Sequence, residues 1–226
     1  MARRGFVTVA VLTVGMVALA SLSGCKLIAN EEGATSSDGV DIFFDDESFD
    51  SDKMAADLWD EQVIPYLNGK AGDFGEVIAL VAEDPDAAGE RFGYRANPDG
   101  KPWTIVARLD GTIVATKLDT RAATVDIDED GDGTADATVQ IGPVIRGTVL
   151  RDSLDFVSFG DFTNQIDYAK FGKSLNTLVN DTVLNTFPRE DLIGREVSVL
   201  GVFEIDPSDD RPIFTAAEIK VVEPSS

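Results

Sequence analysis

Two residue types that often serve in catalysis are almost absent from this sequence. Its 226 residues include no histidine and a single cysteine, Cys25. One cysteine excludes an internal disulfide. Together the two absences remove most of the usual nucleophiles, general bases and transition-metal ligands. The composition therefore predicts a protein that is not an enzyme, and no residue is predicted to be catalytic.

Basic residues are also scarce. Lysine and arginine together number 19, against 41 aspartate and glutamate residues, which gives a formal net charge of −22. Affinity for nucleic acids comes largely from basic side chains that displace counterions from phosphates, so this charge argues against a nucleic-acid partner. The apolar content of 43% is ordinary for a globular protein, and the chain is long enough for one medium domain with a sizeable core.

Residues 1–24 have the layout of a secretory signal peptide. Two arginines precede an apolar run over 6–20, and small residues lead to Cys25. The ending Leu22-Ser23-Gly24-Cys25 resembles the lipobox of bacterial lipoproteins. This resemblance implies that the Cys25 sulfur receives a diacylglycerol, that the signal peptide is cleaved, and that the new amine is acylated with a fatty acid such as palmitate. The alternative is an uncleaved transmembrane helix, although the run is shorter than the ~20 residues that a span prefers.

The predicted address of the protein is the cell envelope. Each buried methylene of an acyl chain contributes roughly 0.8 kcal/mol to membrane binding, so several chains hold a protein at the bilayer. The protein is expected to face the periplasm, and Lys26 after the cysteine favours the outer membrane in a host with two membranes. Residues 25–50 are polar and acidic and predict a tether. Within it, Ile42-Phe43-Phe44 is a candidate for docking on the folded domain.

Residues 51–100 are predicted to be helical. Apolar residues recur at helical spacing over 55–67, and Pro65 is expected to kink or shorten the last turn of this first helix. A second helix is predicted from Asp73. A third is predicted from Asp84-Pro85, because a capping side chain followed by a first-turn proline is typical of a helix start.

Residues 101–226 are rich in valine, isoleucine and threonine, which predicts strands. Asp110-Gly111 is typical of a two-residue hairpin turn and separates the first two predicted strands. A helix is predicted from Asn164 to about Thr186, with Ile166 among its core-facing residues. The predicted strands cover residues 103–109, 112–118, 120–127, 137–147, 196–205 and 213–222.

The order of these elements predicts an α+β fold in which N-terminal helices are followed by an OB-like small β-barrel with one inserted helix. Strands, one helix and two closing strands are typical of such a barrel, and the helix is expected to plug one end of it. The alternatives are a sandwich or another α+β arrangement.

Three stretches of the chain resemble a known family. They are WDEQVIPYL at 59–67, GPVIRGTVLRD at 142–152 and FTNQIDY at 162–168. They look like the signature stretches of a predicted periplasmic lipoprotein family, the domain of unknown function 2291. The resemblance implies an OB-like domain in the cell envelope, encoded in many cases beside carbohydrate ABC-transporter genes. It implies no established activity.

The sharpest local motif is an aspartate-rich segment between two predicted strands. Calcium prefers six to eight oxygen ligands, and alternating aspartates around a glycine turn supply several of them. The motif predicts a weak calcium site with Gly133 at the turn, although a count that starts at Asp126 is also open. The bidentate glutamate of an EF-hand loop is missing, and the alternative is an acidic hairpin tip shaped by its turn residues. The predicted ligands are Asp128, Asp130, Asp132 and Asp136.

A second group of polar residues interrupts apolar surroundings near the inserted helix. In the predicted barrel they converge at one mouth, where an arginine and amides suit carboxylates or sugar hydroxyls. The alternative is an internal hydrogen-bond network that fixes the corner between strand and helix. The predicted binding residues are Arg146, Arg151, Asp161 and Asn164, with Asp152 and Gln165 beside them.

These observations leave three functional hypotheses. The leading one is a non-catalytic binding or scaffold module of the cell envelope, accessory to carbohydrate ABC transport, with transporter components as partners. The second is a calcium-stabilised, saccharide-binding OB-type module. The third is a hydrolase that uses paired carboxylates, which need no histidine, but no feature of the sequence selects such a pair.

Overall fold

The structure is a computed structural model that describes residues 49–97 and 100–222. The predicted signal peptide, Cys25 and Ile42-Phe43-Phe44 lie outside the described residues. In the part of the chain that is described, no helix is both long enough and apolar enough to cross a bilayer. All of the described residues belong to one compact unit.

The chain first forms a long, interrupted helix. It consists of α1 (Ser51–Leu58), a π-helical turn (Trp59–Val63) and α2 (Ile64–Lys70). The expectation that Pro65 kinks or shortens the last turn is wrong, because Pro65 lies in the first turn of α2. Proline has no amide hydrogen, but this costs no regular α-helical hydrogen bond at Pro65, because the preceding turn is already widened to a π-helix.

Two short helices follow, and both start where the sequence predicts. Helix α3 (Phe74–Glu83) is capped by Asp73, whose carboxylate accepts a hydrogen bond from the Glu76 amide. Helix α4 (Pro85–Phe92) is capped by Asp84, which accepts hydrogen bonds from the next two free amides. Local capping chemistry therefore defines both helix starts.

Five of the described strands close into a barrel. Two short strands, β1 (Gly72–Asp73) and β2 (Gly93–Tyr94), pair with the barrel from outside. The barrel order is β3-β4-β5-β7-β6 and back to β3, with a parallel pair between β5 and β7 and antiparallel pairs elsewhere. This arrangement confirms the predicted OB-like barrel. Its strands are β3 (Thr104–Lys117), β4 (Thr124–Asp128), β5 (Ala137–Gln140), β6 (Glu196–Glu204) and β7 (Ile213–Val221).

The predicted hairpin at Asp110-Gly111 is wrong, because β3 runs through it without a turn. The first part of β3 pairs with β6 and the last part with β4, so this strand bends around the barrel. A Cβ atom at Gly111 would lie 2.4 Å from the Asp128 carbonyl oxygen. Glycine is needed there for the close approach of two strands and not for a turn.

The inserted segment between β5 and β6 contains α5 (Val149–Asp152) and α6 (Gln165–Thr182). The predicted helix over Asn164–Thr186 is confirmed in its main part, with Asn164 as the cap and a 3₁₀ turn at Leu184–Thr186. The expectation that Ile166 faces the core is wrong, since its side chain is 55% exposed. Ile166 lies in the first turn of α6, and the first buried apolar residue of the helix is Phe171.

The buried apolar residues form two cores on opposite sides of the barrel wall. The first fills the barrel and includes Phe74 and Val77 of α3 and Phe92 of α4. The second lies outside the wall, where α1, α2 and α6 pack against Val106, Val202 and other outward-facing residues. The expectation that the inserted helix plugs the barrel is therefore wrong, because the two short N-terminal helices complete the interior.

Among the described residues, the helices leave one face of the barrel uncovered. Along β4 and β5, buried valines alternate with outward-facing residues that belong to neither core. Alternation of this kind directs every second side chain to the outer surface. The outward-facing residues are Thr124, Asp126, Thr138 and Gln140, so this face is polar.

Candidate functional site

A cavity of about 460 Å³ lies over the polar face of β4 and β5. Thr124, Thr138 and Gln140 form its floor, and Asp206 and Asp209 from the loop between β6 and β7 form part of its rim. This face, with its bordering loops, is where OB folds bind oligonucleotides and oligosaccharides. We call this cavity the first chamber.

A second chamber of about 470 Å³ adjoins the first. Its wall carries the aromatic rings of Tyr94, Phe159 and Tyr168, and the Phe159 ring packs edge-on against Tyr168 at 5.7 Å between centroids. Phe159 is 53% exposed, so much of its ring is accessible to a ligand. Both chambers fall within the roughly 300–1,000 Å³ typical of small-molecule pockets.

Three residues line both chambers and join them into one cleft. They are Lys101, Asp152 and Glu204. Burial raises the pKa of the Glu204 carboxyl, and the nearby Asp206 and Asp152 carboxylates raise this pKa further, while Lys101 opposes them. Among the described residues, none forms a hydrogen bond or a salt bridge with the Glu204 side chain. Glu204 thus presents a half-buried carboxylate at the junction of the cleft.

Arg151 is buried at the wall of the second chamber and is held by its neighbours. Its guanidinium donates to the Asp152 carboxylate at 2.6 and 2.9 Å, to the Thr148 hydroxyl at 3.1 Å and to the Tyr168 carbonyl at 3.2 Å. It also lies 3.8 Å from the centroid of the Tyr168 ring. These contacts fix the corner between α5 and α6 and place the Asp152 carboxylate in the cleft.

The structure separates the other predicted binding residues. Arg146 is exposed and lines the first chamber, and its backbone is hydrogen-bonded to the Gln140 side chain. Asp161 accepts hydrogen bonds from the Ser158 amide and hydroxyl, which lower the pKa of its carboxyl, and Asn164 caps α6. Neither Asp161 nor Asn164 lines the chambers, and Gln165 is an exposed first-turn residue.

Sequence reasoning missed two residues at the junction, Lys101 and Glu204. They come from a linker and from a strand end, far apart in the chain, so no local spacing connects them. The one available signal was the charge of Glu204 between the apolar residues Phe203 and Ile205. A charged residue that interrupts an apolar strand marks a position facing water or a ligand.

The aspartate-rich loop between β4 and β5 lies apart from this cleft. Asp128, Asp130 and Asp136 bring carboxylate oxygens within 4.8 Å of one another. Asp128 is 5% exposed, and its two oxygens accept hydrogen bonds from the amides of Gly131 and Gly133, both at 2.8 Å. The loop therefore folds around Asp128.

Asp132 stands outside this group of three carboxylates. Its side chain accepts a hydrogen bond from the Thr134 amide at 2.6 Å. Gly131 and Gly133 adopt positive φ values of 80° and 87°, which side chains other than glycine rarely tolerate. The loop brings together three of the four predicted calcium ligands, and oxygen ligands of this kind suit Ca²⁺.

A family model described as "Predicted periplasmic lipoprotein" (domain of unknown function 2291) matches residues 15–220. The chain belongs to this family. The family match confirms the resemblance found in the sequence and supports a periplasmic lipoprotein of unknown function. It extends over both the N-terminal helices and the barrel, so the cleft is built entirely from residues inside the family region.

One solved structure supports the OB fold. A crystal structure of an OB-fold protein from Thermotoga maritima is 20% identical, covers 78% of this chain and all of its own chain, and superposes with a TM-score of 0.63. The Stn1–Ten1 complex of S. pombe is 12% identical, with coverage of 52% and 57% and a TM-score of 0.24. No curated protein matches the chain.

Proposed function

We propose that this protein is a lipid-anchored, non-catalytic binding module of the cell envelope that holds a saccharide in the cleft, as an accessory to carbohydrate uptake. The observation that carries the saccharide proposal is the composition of the cleft. An exposed aromatic ring, carboxylates and a lysine line one cleft at the ligand-binding face of an OB barrel.

The chemistry of the cleft suits a sugar for two reasons. A pyranose ring has an apolar face that packs on an aromatic ring, and the exposed ring of Phe159 offers that surface. Its hydroxyls both donate and accept hydrogen bonds, and Asp152, Glu204 and Lys101 supply matching partners. A nucleic acid would instead need a surplus of basic residues.

Calorimetric titration of the domain with mono- and disaccharides tests the proposal. Phe159→Ala is expected to weaken sugar binding about tenfold or more, because the stacking surface is lost. Ile166→Ala is the matched control, since Ile166 is similarly exposed at 55% but lies outside the cleft. Failure of every saccharide to bind, or equal losses in both variants, would contradict the proposed function.

The envelope location rests on the signal peptide and lipobox, which predict a lipid on Cys25. Lys26, directly after the cysteine, favours the outer membrane as the site of the anchor. Transporter components are the proposed partners. Cross-linking in cells that grow on the sugar that binds best should capture a carbohydrate transporter or its binding protein, and capture in equal amounts by Phe159→Ala would count against a sugar-dependent role.

We also propose that calcium stabilises the hairpin between β4 and β5. Three carboxylates whose oxygens lie within 4.8 Å of one another repel, and a divalent cation would relieve that repulsion. The loop supplies too few side chains for a complete shell, so backbone carbonyls and water would complete it. This matches the weak affinities, about 10⁻⁴–10⁻³ M, of extracellular calcium modules.

A further inference from the structure

The charges around the cleft do not balance. Two of its four basic groups already have acidic partners. Arg151 pairs with Asp152, and Arg95 lies 3.3 Å from Asp86 and stacks on the Trp103 ring. The basic groups that remain are Lys101 and Arg146. The carboxylates that remain are those of Glu204, Asp206 and Asp209.

Glu204 is the carboxylate best placed to meet a ligand from either chamber. It lines both chambers, it is half-buried, and its side chain has no hydrogen-bond or salt-bridge partner among the residues that the structure describes. Removing a charged group from water without a partner costs free energy. A cationic donor at this point would restore the lost interactions with a charge-assisted hydrogen bond.

The second chamber adds a surface that also favours a cation. The ring of Phe159 is largely exposed, and the face of an aromatic ring attracts positive charge through its quadrupole. The nearby Tyr168 ring already carries the Arg151 guanidinium at 3.8 Å, and of the two rings that remain Phe159 is more exposed than Tyr94. An aromatic surface and a carboxylate therefore both line the second chamber. The aromatic surface suits a sugar ring, and the carboxylate suits a positively charged substituent of that ring.

We infer that the sugar bound in this cleft carries a protonated amine, with Glu204 as the residue that selects it. This inference rests on the proposed function, since it names the class of saccharide for the same cleft. An ammonium group pairs with Glu204 and its ring packs on Phe159. A uronic acid would place its carboxylate near Glu204, Asp206 and Asp209, where like charges repel.

Three disaccharides with the same linkage separate the possibilities. The β-1,4 disaccharide of glucosamine, cellobiose and N,N′-diacetylchitobiose differ at carbon 2, which bears an ammonium, a hydroxyl or an acetamide. Calorimetric titration of the wild-type domain is expected to give about tenfold or tighter binding for the glucosamine disaccharide. The preference is expected to shrink as sodium chloride is raised, because salt screens the ion pair.

Glu204→Gln keeps the size and shape of the side chain and one acceptor oxygen, replaces the other oxygen with an NH2 donor, and removes the charge. It is expected to bring the three affinities within about twofold of each other, since only the charged contact is lost. Glu61→Gln, at an exposed helix position outside the cleft, is the control and should retain the full preference. A thermal melt of each variant verifies that it is folded before titration.

The outcomes distinguish this inference from the proposed function. Equal binding of all three disaccharides by the wild-type domain overturns the amine preference and leaves saccharide binding standing. A preference that persists in Glu204→Gln overturns the role of Glu204. No binding of any disaccharide overturns both the inference and the proposed function.

Discussion

Glu204 lies at the end of β6, where burial and two neighbouring aspartates disfavour its charged form. A carboxyl whose pKa is raised in the folded state destabilises the fold at high pH. The loss of stability is complete above the folded-state pKa and disappears as the pH falls below the unfolded-state pKa. Binding residues often destabilise the ligand-free protein, because they are selected for binding and not for stability.

Because the charged form of Glu204 destabilises the fold, removing its charge should stabilise the domain at neutral pH. Glu204→Gln should raise the Tm at pH 7 by about 1–2 °C, a small change because solvent still screens a group that is only half-buried. The difference from wild type should vanish as the pH falls through the raised pKa of Glu204 toward its ordinary value of 4.5. Melting curves from pH 4 to pH 8 measure it. Glu218→Gln, at an exposed position of β7, is the control, and a lower Tm for Glu204→Gln at pH 7 would contradict the account.

Single residues also show why the sequence predicts some features and misses others. Asp73, Asp84 and Asn164 act on amides two or three positions away, so their capping roles are visible in the sequence. The role of Gly111 depends on a strand that comes later in the chain, and its neighbour Asp110 completes a misleading hairpin signal. Contacts between residues close in the chain can be predicted from the sequence, whereas the close approach of two distant strands cannot.

At the scale of elements, the loop between β4 and β5 offers a sharp test of the calcium proposal. At about ten times the dissociation constant, bound calcium should stabilise the domain by about 1.4 kcal/mol, which is a Tm rise of about 3–6 °C. Melting the domain in roughly 10 mM CaCl₂ and in chelator, a concentration chosen from the expected affinity range, measures this rise.

Two variants of this loop separate the sequence prediction from the structure. Asp130→Asn should abolish the calcium effect, because Asp130 belongs to the group of three carboxylates. Asp132→Asn should keep it, because the Asp132 side chain accepts a hydrogen bond from Thr134 instead. Equal loss in both variants would restore the four-ligand arrangement read from the sequence. No calcium effect in wild type would end the proposal.

The two cores explain a further difference between prediction and structure at this scale. The apolar spacing of α6 predicts a buried face but does not tell which surface covers it. Its buried stripe meets α1 and the outside of the barrel, while α3 and α4 supply the interior. The cleft is harder still to predict, because its residues come from a linker, a helix, a turn and a strand end.

At the scale of the whole molecule, the lipid anchor separates location from fold. Wild-type protein should incorporate labelled palmitate and fractionate with membranes, since several acyl chains bind a bilayer tightly. Cys25→Ser should lose the label and the lipid, while the folded domain keeps its melting temperature because Cys25 lies outside the described domain. Ser21→Ala, one residue before the lipobox, should behave as wild type. Unlabelled wild-type protein in the cytoplasm would refute the anchor.

The ring of Phe74 in α3 packs against Phe214 in β7, near the two ends of the described chain. The barrel is thus sealed by a segment that leaves the ribosome, and enters the export channel, well before the last strand does. A fragment that begins at the first barrel strand would lack α3 and α4, would expose the apolar interior of the barrel and should aggregate. Helices α3 and α4 are therefore part of the barrel fold, and a transfer of this barrel to another protein would have to include them.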